Sequence, residues 1–516
     1  MSDRHSAPRH RMKSFSLLLA VLAVVGCVIG SRLLAARLEG GVVMQQRMRA
    51  AARATKLELA PEKSSSETSS VTSSVTSGAP APTADEPGLM TLHTIPTDLY
   101  PDAVCNDGSP AGFYFRKGGG SDDSGFALAE HRWLLFLQGG FWCWDEQSCT
   151  ERTGIYPALM TSTKWTPTKK LGGIFSPDSS VSPLSTANRV FVPYCSSDAW
   201  VGDMGDGVLG FHFRGQAIVR AVMSELRRVY KIGGGTGGDE LYFAGCSAGA
   251  RGAISLIDSV PAMVPGVKVF GIFDSGLSLS LEPFGPSSLT PLTEQVQKVL
   301  VAHNAHSVLG AQCEAAYASE PWKCLVAEFR LPFLKRPHFI SESQYDSFQL
   351  YWDLGGKQPP YSGAMSDYSH EFRLAMRSAL MAAGDRGAGV HSSSCFKHCL
   401  SLSNEFYSGV LAPGTDGELT SFSGAVAHWM ATKHSYGAVY IDNCWGFNCG
   451  CAAPPPPPPP PSPAPAPPAT SSRTAGWSDM ASDASEGEEE DESGASAQEE
   501  QETRRGRSFA EGYSGF

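Results

Sequence analysis

Between about residues 89 and 451, short apolar runs of strand length alternate with segments whose apolar residues have helical spacing. The four clearest runs are residues 133–137 (WLLFL), 190–193 (VFVP), 240–244 (ELYFA) and 267–273 (VKVFGIF). Each is followed by glycine or polar residues, as expected of a strand buried in a parallel sheet. This pattern predicts an α/β fold with a mostly parallel central sheet flanked by helices, and the turns after these strands are expected to face one ligand site.

The segment 216–230 (QAIVRAVMSELRRVY) has apolar residues three and four positions apart, with charged residues between them. Such spacing predicts an amphipathic helix that packs on the sheet. Its apolar stripe consists of Ile218, Val219, Val222, Met223 and Leu226.

Residues 245–249 (GCSAG) have the G-x-S-x-G pattern, which is weak evidence when it stands alone. Here it follows the predicted strand 240–244 and precedes a helical segment at 250–257, the strand–turn–helix context of a nucleophile elbow. The small flanking residues suit a tight turn, so Ser247 is the candidate nucleophile. The alternatives are a turn serine without a catalytic role and a nucleophilic Cys246, although an elbow would point Cys246 back into the structure.

An esterase of this kind needs backbone N–H donors for the developing oxyanion. The Ala248 N–H at the start of the helix is one candidate. The glycine-rich segment 139–143 (GGFWC), directly after a predicted strand, is the candidate for the second, unless it is a plain strand-end turn. Phe141, Trp142 and Trp144 would then form walls of the substrate pocket, although each could equally belong to the core.

A nucleophilic serine also needs a base and an orienting carboxylate, which in this fold follow the nucleophile in the chain. His398 stands out because Cys395 and Cys399 bracket it, and a disulfide there would fix its loop. Spacing alone leaves the other histidines and three acids open. The histidines are His303, His306, His338, His370, His391, His428 and His434, and the acids are Asp274, Asp346 and Asp353.

The terminal segments differ in composition from this region. Residues 14–31 carry no charge and predict a signal anchor or a cleaved signal peptide within residues 1–36. Residues 37–88 form a Ser/Thr/Pro-rich stalk, and residues 453–470 contain a proline run that favours a stiff polyproline II spacer. An acidic, disordered tail is expected at 471–516, which leaves residues 89–452 as the catalytic domain.

Cysteine usage and charge narrow the possibilities further. Twelve of the thirteen cysteines lie between Cys105 and Cys451, and with a membrane-targeting start they indicate disulfides and an oxidising compartment. The protein is therefore expected in the secretory pathway, either as a type II membrane protein with a lumenal or extracellular catalytic domain or as a secreted one. The acidic tail holds most of the net charge of −11, and no clustered basic face suggests nucleic-acid binding.

Five segments together resemble the pectin acetylesterase and Notum family, over roughly residues 101–451. They are 105–115 (CNDGSPAGFYF), 134–144 (LLFLQGGFWCW), 188–203 (NRVFVPYCSSDAWVGD), 243–249 (FAGCSAG) and 393–399 (SSCFKHC).

The resemblance implies an α/β-hydrolase fold that is stabilised by disulfides and hydrolyses esters without a cofactor or metal. It places the catalytic nucleophile at Ser247, the histidine at His398 and the acid at Asp346, and it makes Asp274 structural. It also places the oxyanion donors at the backbone N–H groups of Gly140, Phe141 and Ala248.

The same resemblance implies three disulfides and a fourth group of cysteines. The pairs are Cys143–Cys149, Cys105–Cys195 and Cys313–Cys324. Cys395 and Cys399 are expected to bond within the cluster Cys444, Cys449 and Cys451, which leaves Cys246 free and one further cysteine unpaired.

The family divides over its substrate. Its plant-like members remove acetyl groups from pectin, whereas Notum removes a palmitoleoyl chain from Wnt proteins. Because the proline-rich spacer is typical of cell-wall proteins, an acetylated wall polysaccharide is the favoured substrate and a lipidated protein the alternative. A third hypothesis is a glycan- or wall-binding module that has lost its chemistry.

Overall fold

The computed structural model describes residues 86–119, 131–234, 238–285, 289–434 and 437–451. The predicted anchor, stalk, proline spacer and acidic tail lie outside these residues, apart from the last three positions of the stalk. Within the described ranges, no helix has the length and apolar character needed to span a bilayer.

The described strands are β1 (Leu89–Thr94), β2 (Gly112–Arg116), β3 (Arg132–Leu137), β4 (Thr168–Lys170), β5 (Asn188–Val192), β6 (Glu240–Cys246), β7 (Lys268–Asp274), β8 (His338–Ser341), β9 (Gly389–Ser392), β10 (Leu411–Pro413), β11 (Leu419–Ser421) and β12 (Val439–Ile441). The α-helices are α1 (Glu146–Ile155), α2 (Gly215–Arg228), α3 (Ala248–Leu256), α4 (Val260–Met263), α5 (Leu292–Ala302), α6 (Ala311–Ala316), α7 (Ala327–Arg330), α8 (Ser347–Asp353), α9 (Ala364–Asp385) and α10 (Phe422–Ala431). Short 3₁₀ turns lie at Pro157–Leu159, Gly173–Phe175, Val208–Gly210, Ala305–Val308, Pro321–Leu325, Leu331–Phe333 and Asn404–Phe406.

Ten of the described strands form one sheet, in the order β12-β9-β8-β7-β6-β3-β5-β2-β1-β4. Neighbours from β12 to β5 are parallel, and β2, β1 and β4 extend the sheet in antiparallel fashion. β10 and β11 pair separately. The predicted α/β fold with a mostly parallel sheet is therefore confirmed.

All four predicted strands are present and adjacent in the sheet, as β7, β6, β3 and β5. These strands are continuous apolar runs because both faces of the sheet are covered. In β3, Leu135 belongs to the hydrophobic cluster on one face, and its neighbours Leu134 and Phe136 belong to the cluster on the other. β5 ends at Val192, since Pro193 has no N–H to donate to the sheet.

The predicted amphipathic helix is α2, and its five stripe residues are fully buried. It precedes β6, and its buried residues belong to the hydrophobic cluster on one face of the sheet.

The disulfides confirm part of the expected pairing and correct two expectations. Three pairs are as expected: Cys143–Cys149, Cys105–Cys195 and Cys313–Cys324. The other three are Cys246–Cys399, Cys395–Cys451 and Cys444–Cys449. Cys395 bonds within the expected cluster, to Cys451, but Cys399 does not. The expectation of a free Cys246 was also wrong, because the turn after β6 points Cys246 into the interior, where the loop that carries Cys399 passes. This pair also resolves the odd cysteine count.

Candidate active site

Ser247 occupies a strained turn between β6 and α3. Its φ of +55° and ψ of −122° lie in a region that side-chain-bearing residues rarely adopt, as is typical of a nucleophile elbow. The turn closes only because glycines stand two positions before and two positions after Ser247. A Cβ at Gly245 would lie 2.4 Å from the carbonyl carbon of Gly249, and one at Gly249 would lie 2.0 Å from the Leu137 oxygen.

Of the eight histidines after Ser247, the structure brings His398 next to one of the three candidate acids. The Nδ1 atom of His398 lies 2.5 Å from Oδ2 of Asp346, and both side chains are buried. The ring also stacks on Phe348, with centroids 5.2 Å apart. The hydrogen bond to Asp346 fixes the tautomer and the orientation of the imidazole. It leaves Nε2 as the nitrogen that can exchange a proton.

The His398 Nε2 atom is buried and has no hydrogen-bond partner among the described residues. A buried nitrogen without a partner costs free energy, so its presence needs an explanation. In a serine hydrolase this is the nitrogen that receives the serine proton, and the bond often tightens only when substrate binds.

Asp346 has a second structural task, because it is also the N-cap of α8. Its Oδ1 atom accepts a hydrogen bond of 2.8 Å from the Gln349 N–H, while Oδ2 faces His398. The cap fixes the carboxylate on a helix N-terminus, so one rigid element sets the position of the acid.

The loop after His398 is tied to the Ser247 turn through Asp274. The Asp274 Oδ2 atom accepts hydrogen bonds from the N–H groups of Leu400 (2.8 Å) and Ser401 (2.7 Å), and its backbone oxygen accepts one of 2.9 Å from Ser247. These contacts match the structural role expected of Asp274. Burial raises the pKa of its carboxyl.

The Cys246–Cys399 disulfide makes the same connection covalently. Its two Cα atoms lie 5.7 Å apart, and its partners are the residue before Ser247 and the residue after His398. In addition, the Cys399 N–H donates to Oγ of Ser275, at 2.8 Å. The predicted nucleophile and base thus lie on two segments that are joined by a disulfide and by hydrogen bonds.

A further buried acid, Glu342, lies near Asp346, and the sequence analysis did not identify it as a site residue. Its Oε2 atom accepts a hydrogen bond of 2.9 Å from the Leu277 N–H. Burial, and then the charge of Asp346, raise the pKa of Glu342 well above its usual value. A protonated Glu342 avoids a second negative charge beside the acid that faces His398.

The glycine-rich loop after β3 lies against the Ser247 turn, where oxyanion donors are expected. A Cβ at Gly139 would lie 2.6 Å from the Cys246 oxygen and 3.1 Å from Cβ of Ser247. Gly140 and Phe141 both have positive φ, +143° and +60°, which turns the chain sharply beside the serine. The Ala248 N–H is at the first position of α3, where no intrahelical partner exists.

A cavity of about 270 Å³ opens beside this loop, and Gly140, Phe141, Trp142 and Trp144 line it. The two tryptophans predicted as pocket walls thus line this cavity, and both also belong to the hydrophobic core. The Trp142 indole N–H donates to Oε1 of Gln295, at 2.9 Å.

Other walls of the cavity were missed, among them Tyr156, Phe348 and Trp352. Phe348 and Trp352 are four residues apart on α8, and this helical spacing directly after Asp346 is the signal that could have identified them.

Two clusters of potential metal ligands occur among the described residues, and neither offers a thiolate. They are Cys246, Asp274 and Cys399, and Asp442, Cys444 and Cys449. In each, both cysteines form a disulfide with each other.

The fold and this arrangement of a strained turn serine, a histidine–aspartate pair and a glycine-rich loop define a serine-type α/β hydrolase. The chain belongs to the pectinacetylesterase family, whose model matches residues 83–452.

Several relatives are known as palmitoleoyl-protein carboxylesterases. The Notum protein of Drosophila melanogaster is 34% identical over 306 residues, which cover 57% of this chain and 43% of that protein. Human Notum is 32% identical over 275 residues, covering 51% of this chain and 52% of that protein. The matched region thus spans about half the length of these relatives.

The fold is also similar to a crystal structure of the Wnt deacylase Notum from Drosophila. The TM-score is 0.61 at 30% sequence identity, and the match covers 70% of this chain and 99% of that one.

Proposed function

We propose that the protein is a serine carboxylesterase in which Ser247 is the nucleophile, His398 the general base and Asp346 its orienting acid. The observation that carries the proposal is the 2.5 Å contact between His398 Nδ1 and Asp346, which leaves the buried Nε2 free for the serine proton.

In the reaction, Oγ of Ser247 forms a bond to the ester carbonyl carbon while Nε2 of His398 takes its proton. The N–H groups of Gly140, Phe141 and Ala248 stabilise the negative charge on the carbonyl oxygen. The bond to the alcohol then breaks, and His398 donates the proton to the departing oxygen. Water, activated by the same histidine, releases the carboxylic acid from the acyl-enzyme.

The test is Ser247→Ala, measured with p-nitrophenyl acetate and with a fluorophosphonate probe. We expect kcat to fall on the order of 10⁴-fold or more, as in other triads, and labelling to disappear. Ser255→Ala, a buried serine of α3, serves as the matched control. Unchanged turnover in Ser247→Ala would exclude the assignment. A wild-type protein that neither turns over esters nor reacts with the probe would instead favour the non-catalytic binding module.

For the substrate, we propose an O-acetylated wall polysaccharide such as pectin. The family description supports this, and the cavity of about 270 Å³ beside the glycine-rich loop has room for an acetyl group.

A lipidated protein substrate is the second candidate, because the aligned relatives are palmitoleoyl-protein carboxylesterases and the cavity walls are largely aromatic. Activity on p-nitrophenyl acetate and octanoate separates the two, since added methylenes increase kcat/KM only in a deep apolar pocket. Acetylated pectin and a palmitoleoylated peptide, assayed side by side, then identify the class. A preference for the octanoate and the lipidated peptide would contradict the polysaccharide proposal.

The six disulfides are typical of an oxidising compartment, which supports a secreted or extracellular protein. We propose that residues 14–31 direct the chain there and remain as a membrane anchor. The intact mass of the mature protein tests this, because cleavage of a signal peptide would remove that segment.

A further inference from the structure

The last described segment, residues 442–451 (DNCWGFNCGC), packs against both loops that carry the proposed acid and base. We call it the cysteine loop. It follows β12, and the Cys444–Cys449 disulfide closes it on itself. A second disulfide joins Cys451 to Cys395, three residues before His398. The cysteine loop is therefore covalently attached to the segment of the proposed base.

Phe447, in the middle of the cysteine loop, contacts the segment that carries His398. Its backbone oxygen accepts a hydrogen bond of 2.8 Å from the Phe396 N–H, and the centroids of the two rings lie 6.1 Å apart. Phe396 is two residues before His398 in the chain. Close by, the Ser394 hydroxyl donates to the Cys444 oxygen, at 2.6 Å. These contacts hold the base segment against the cysteine loop.

The Phe447 ring also contacts the residue before the proposed acid, which is Tyr345. The centroids of these two rings lie 4.5 Å apart, and Tyr345 is fully buried. The Tyr345 hydroxyl forms a hydrogen bond of 2.8 Å with Nδ1 of His370, so the tyrosine is held at both ends of its side chain. The neighbouring Gln344 donates from Nε2 to the backbone oxygen of Asp442 in the cysteine loop, at 2.7 Å.

The contact of 2.5 Å between His398 and Asp346 joins loops that follow two different strands, β9 and β8. Reacting groups must be held to within about 0.5 Å by the residues around them. We propose that Phe447 is a positioning residue of the triad and acts through Tyr345 and Phe396. Because one side chain contacts both segments, it fixes their spacing. This role rests on the proposed function, in which His398 is the base and Asp346 its acid.

An ordinary packing residue would make similar ring contacts, and its loss would lower only the free energy of unfolding. Two properties distinguish a positioning residue from it. Removal of the ring lowers kcat in protein that is still folded. The loss also shrinks when the acid that the ring positions has already been replaced, because residues that act as a unit have non-additive effects.

The test is Phe447→Ala, alone and combined with Asp346→Asn, measured with p-nitrophenyl acetate. A displacement of about 1 Å at the reacting groups can cost roughly 10²-fold in rate, so we expect kcat to fall on the order of 10- to 100-fold with little change in KM. The rate at which a fluorophosphonate labels Ser247 should fall in parallel. In the Asp346→Asn background, Phe447→Ala should cost little further activity.

Two comparison variants separate positioning from stability. Phe447→Tyr keeps the ring and should retain most of kcat. Phe333→Ala removes a half-buried ring that packs on Tyr317, with centroids 6.3 Å apart, so it should lower the free energy of unfolding without lowering kcat. If Phe447→Ala does not fold, Phe447→Leu replaces it, because leucine keeps an apolar side chain but not the flat ring.

Full kcat in folded Phe447→Ala would overturn the positioning role. Losses that simply multiply in the double variant would do the same. Neither result affects the proposed function as long as Ser247→Ala is inactive. Unchanged turnover in Ser247→Ala would instead contradict the function, and the role of Phe447 with it.

Discussion

Cys246 and Cys399 form a disulfide that joins the residue before Ser247 to the residue after His398, across 153 positions of sequence. The two side chains that we propose exchange a proton therefore lie on segments that are covalently linked one residue away. A fixed link at this point limits how far the histidine loop can move from the serine turn.

We expect the double variant Cys246→Ser/Cys399→Ser to lose activity through kcat more than through KM. A misplacement of about 1 Å at the reacting groups can cost roughly 10²-fold in rate. The variant should also react more slowly with a fluorophosphonate, and the pH profile of kcat/KM, which reports the essential base, should change. The control is Cys313→Ser/Cys324→Ser, which removes a disulfide from a different segment. Equal kcat losses in the two double variants would contradict a positioning role.

Asp346→Asn should abolish most turnover and leave the protein folded. The amide can still accept the Gln349 N–H and cap α8, but it donates where the carboxylate accepted from His398, so the imidazole is held in the wrong tautomer. We expect kcat to fall about 10⁴-fold, as for the equivalent change in another triad.

Asp346→Ala provides the comparison, because it loses the cap as well. Its free energy of unfolding should decrease by about 1 kcal/mol relative to Asp346→Asn. A fully active Asp346→Asn would show that another acid orients the histidine.

Gly140→Ala should impair catalysis because the loop cannot accommodate a side chain there. The φ of +143° is unfavourable for alanine, and a Cβ would lie 2.7 Å from Leu159 and 2.9 Å from Tyr194. Displacement of an oxyanion donor costs about 10²- to 10³-fold in kcat. Gly154→Ala in α1 is the control, since a Cβ there meets no atom within 4 Å. Similar kinetics for both variants would argue against the proposed oxyanion loop.

The burial of Asp353 should make the stability of the protein depend on pH. It is buried at the end of α8, and burial raises the pKa of its carboxyl to about 7. In the unfolded chain the same carboxyl has a pKa of about 3.9. Its stabilising contribution to the free energy of unfolding is therefore fully present below about pH 3.9 and is lost as the pH rises to about 7. Unfolding midpoints in denaturant should fall less over this range in Asp353→Asn than in the wild type. An exposed acid, Glu314→Gln, should leave the slope unchanged, and identical slopes in all three proteins would contradict the prediction.

The sequence predicted the parts of the site that depend on local chain geometry. The turn at Ser247 needs only a strand, small flanking residues and a helix, and these are contiguous at 240–257. The glycine loop after β3 is equally local. The choice of His398 and Asp346 was different. Spacing left several candidates, the bracketing cysteines favoured His398, and only the family resemblance selected Asp346.

The remaining features depend on contacts between distant segments. Cys246 and Cys399 meet because the loop after β9 crosses the turn after β6, which no local pattern encodes. Phe447 looks like an ordinary residue of a loop after β12, and its contacts with Tyr345 and Phe396 follow from packing between distant segments.

The proposed reacting groups come from several neighbouring strands of one sheet. Gly140 follows β3, Ser247 follows β6, Asp346 follows β8 and His398 follows β9. A partly folded chain with β8 and β9 undocked would have the serine turn and the glycine loop but no base. Release of a coloured product from a chromogenic ester therefore offers a sensitive readout of completed folding, because it requires both halves of the sheet to be assembled in the same molecule.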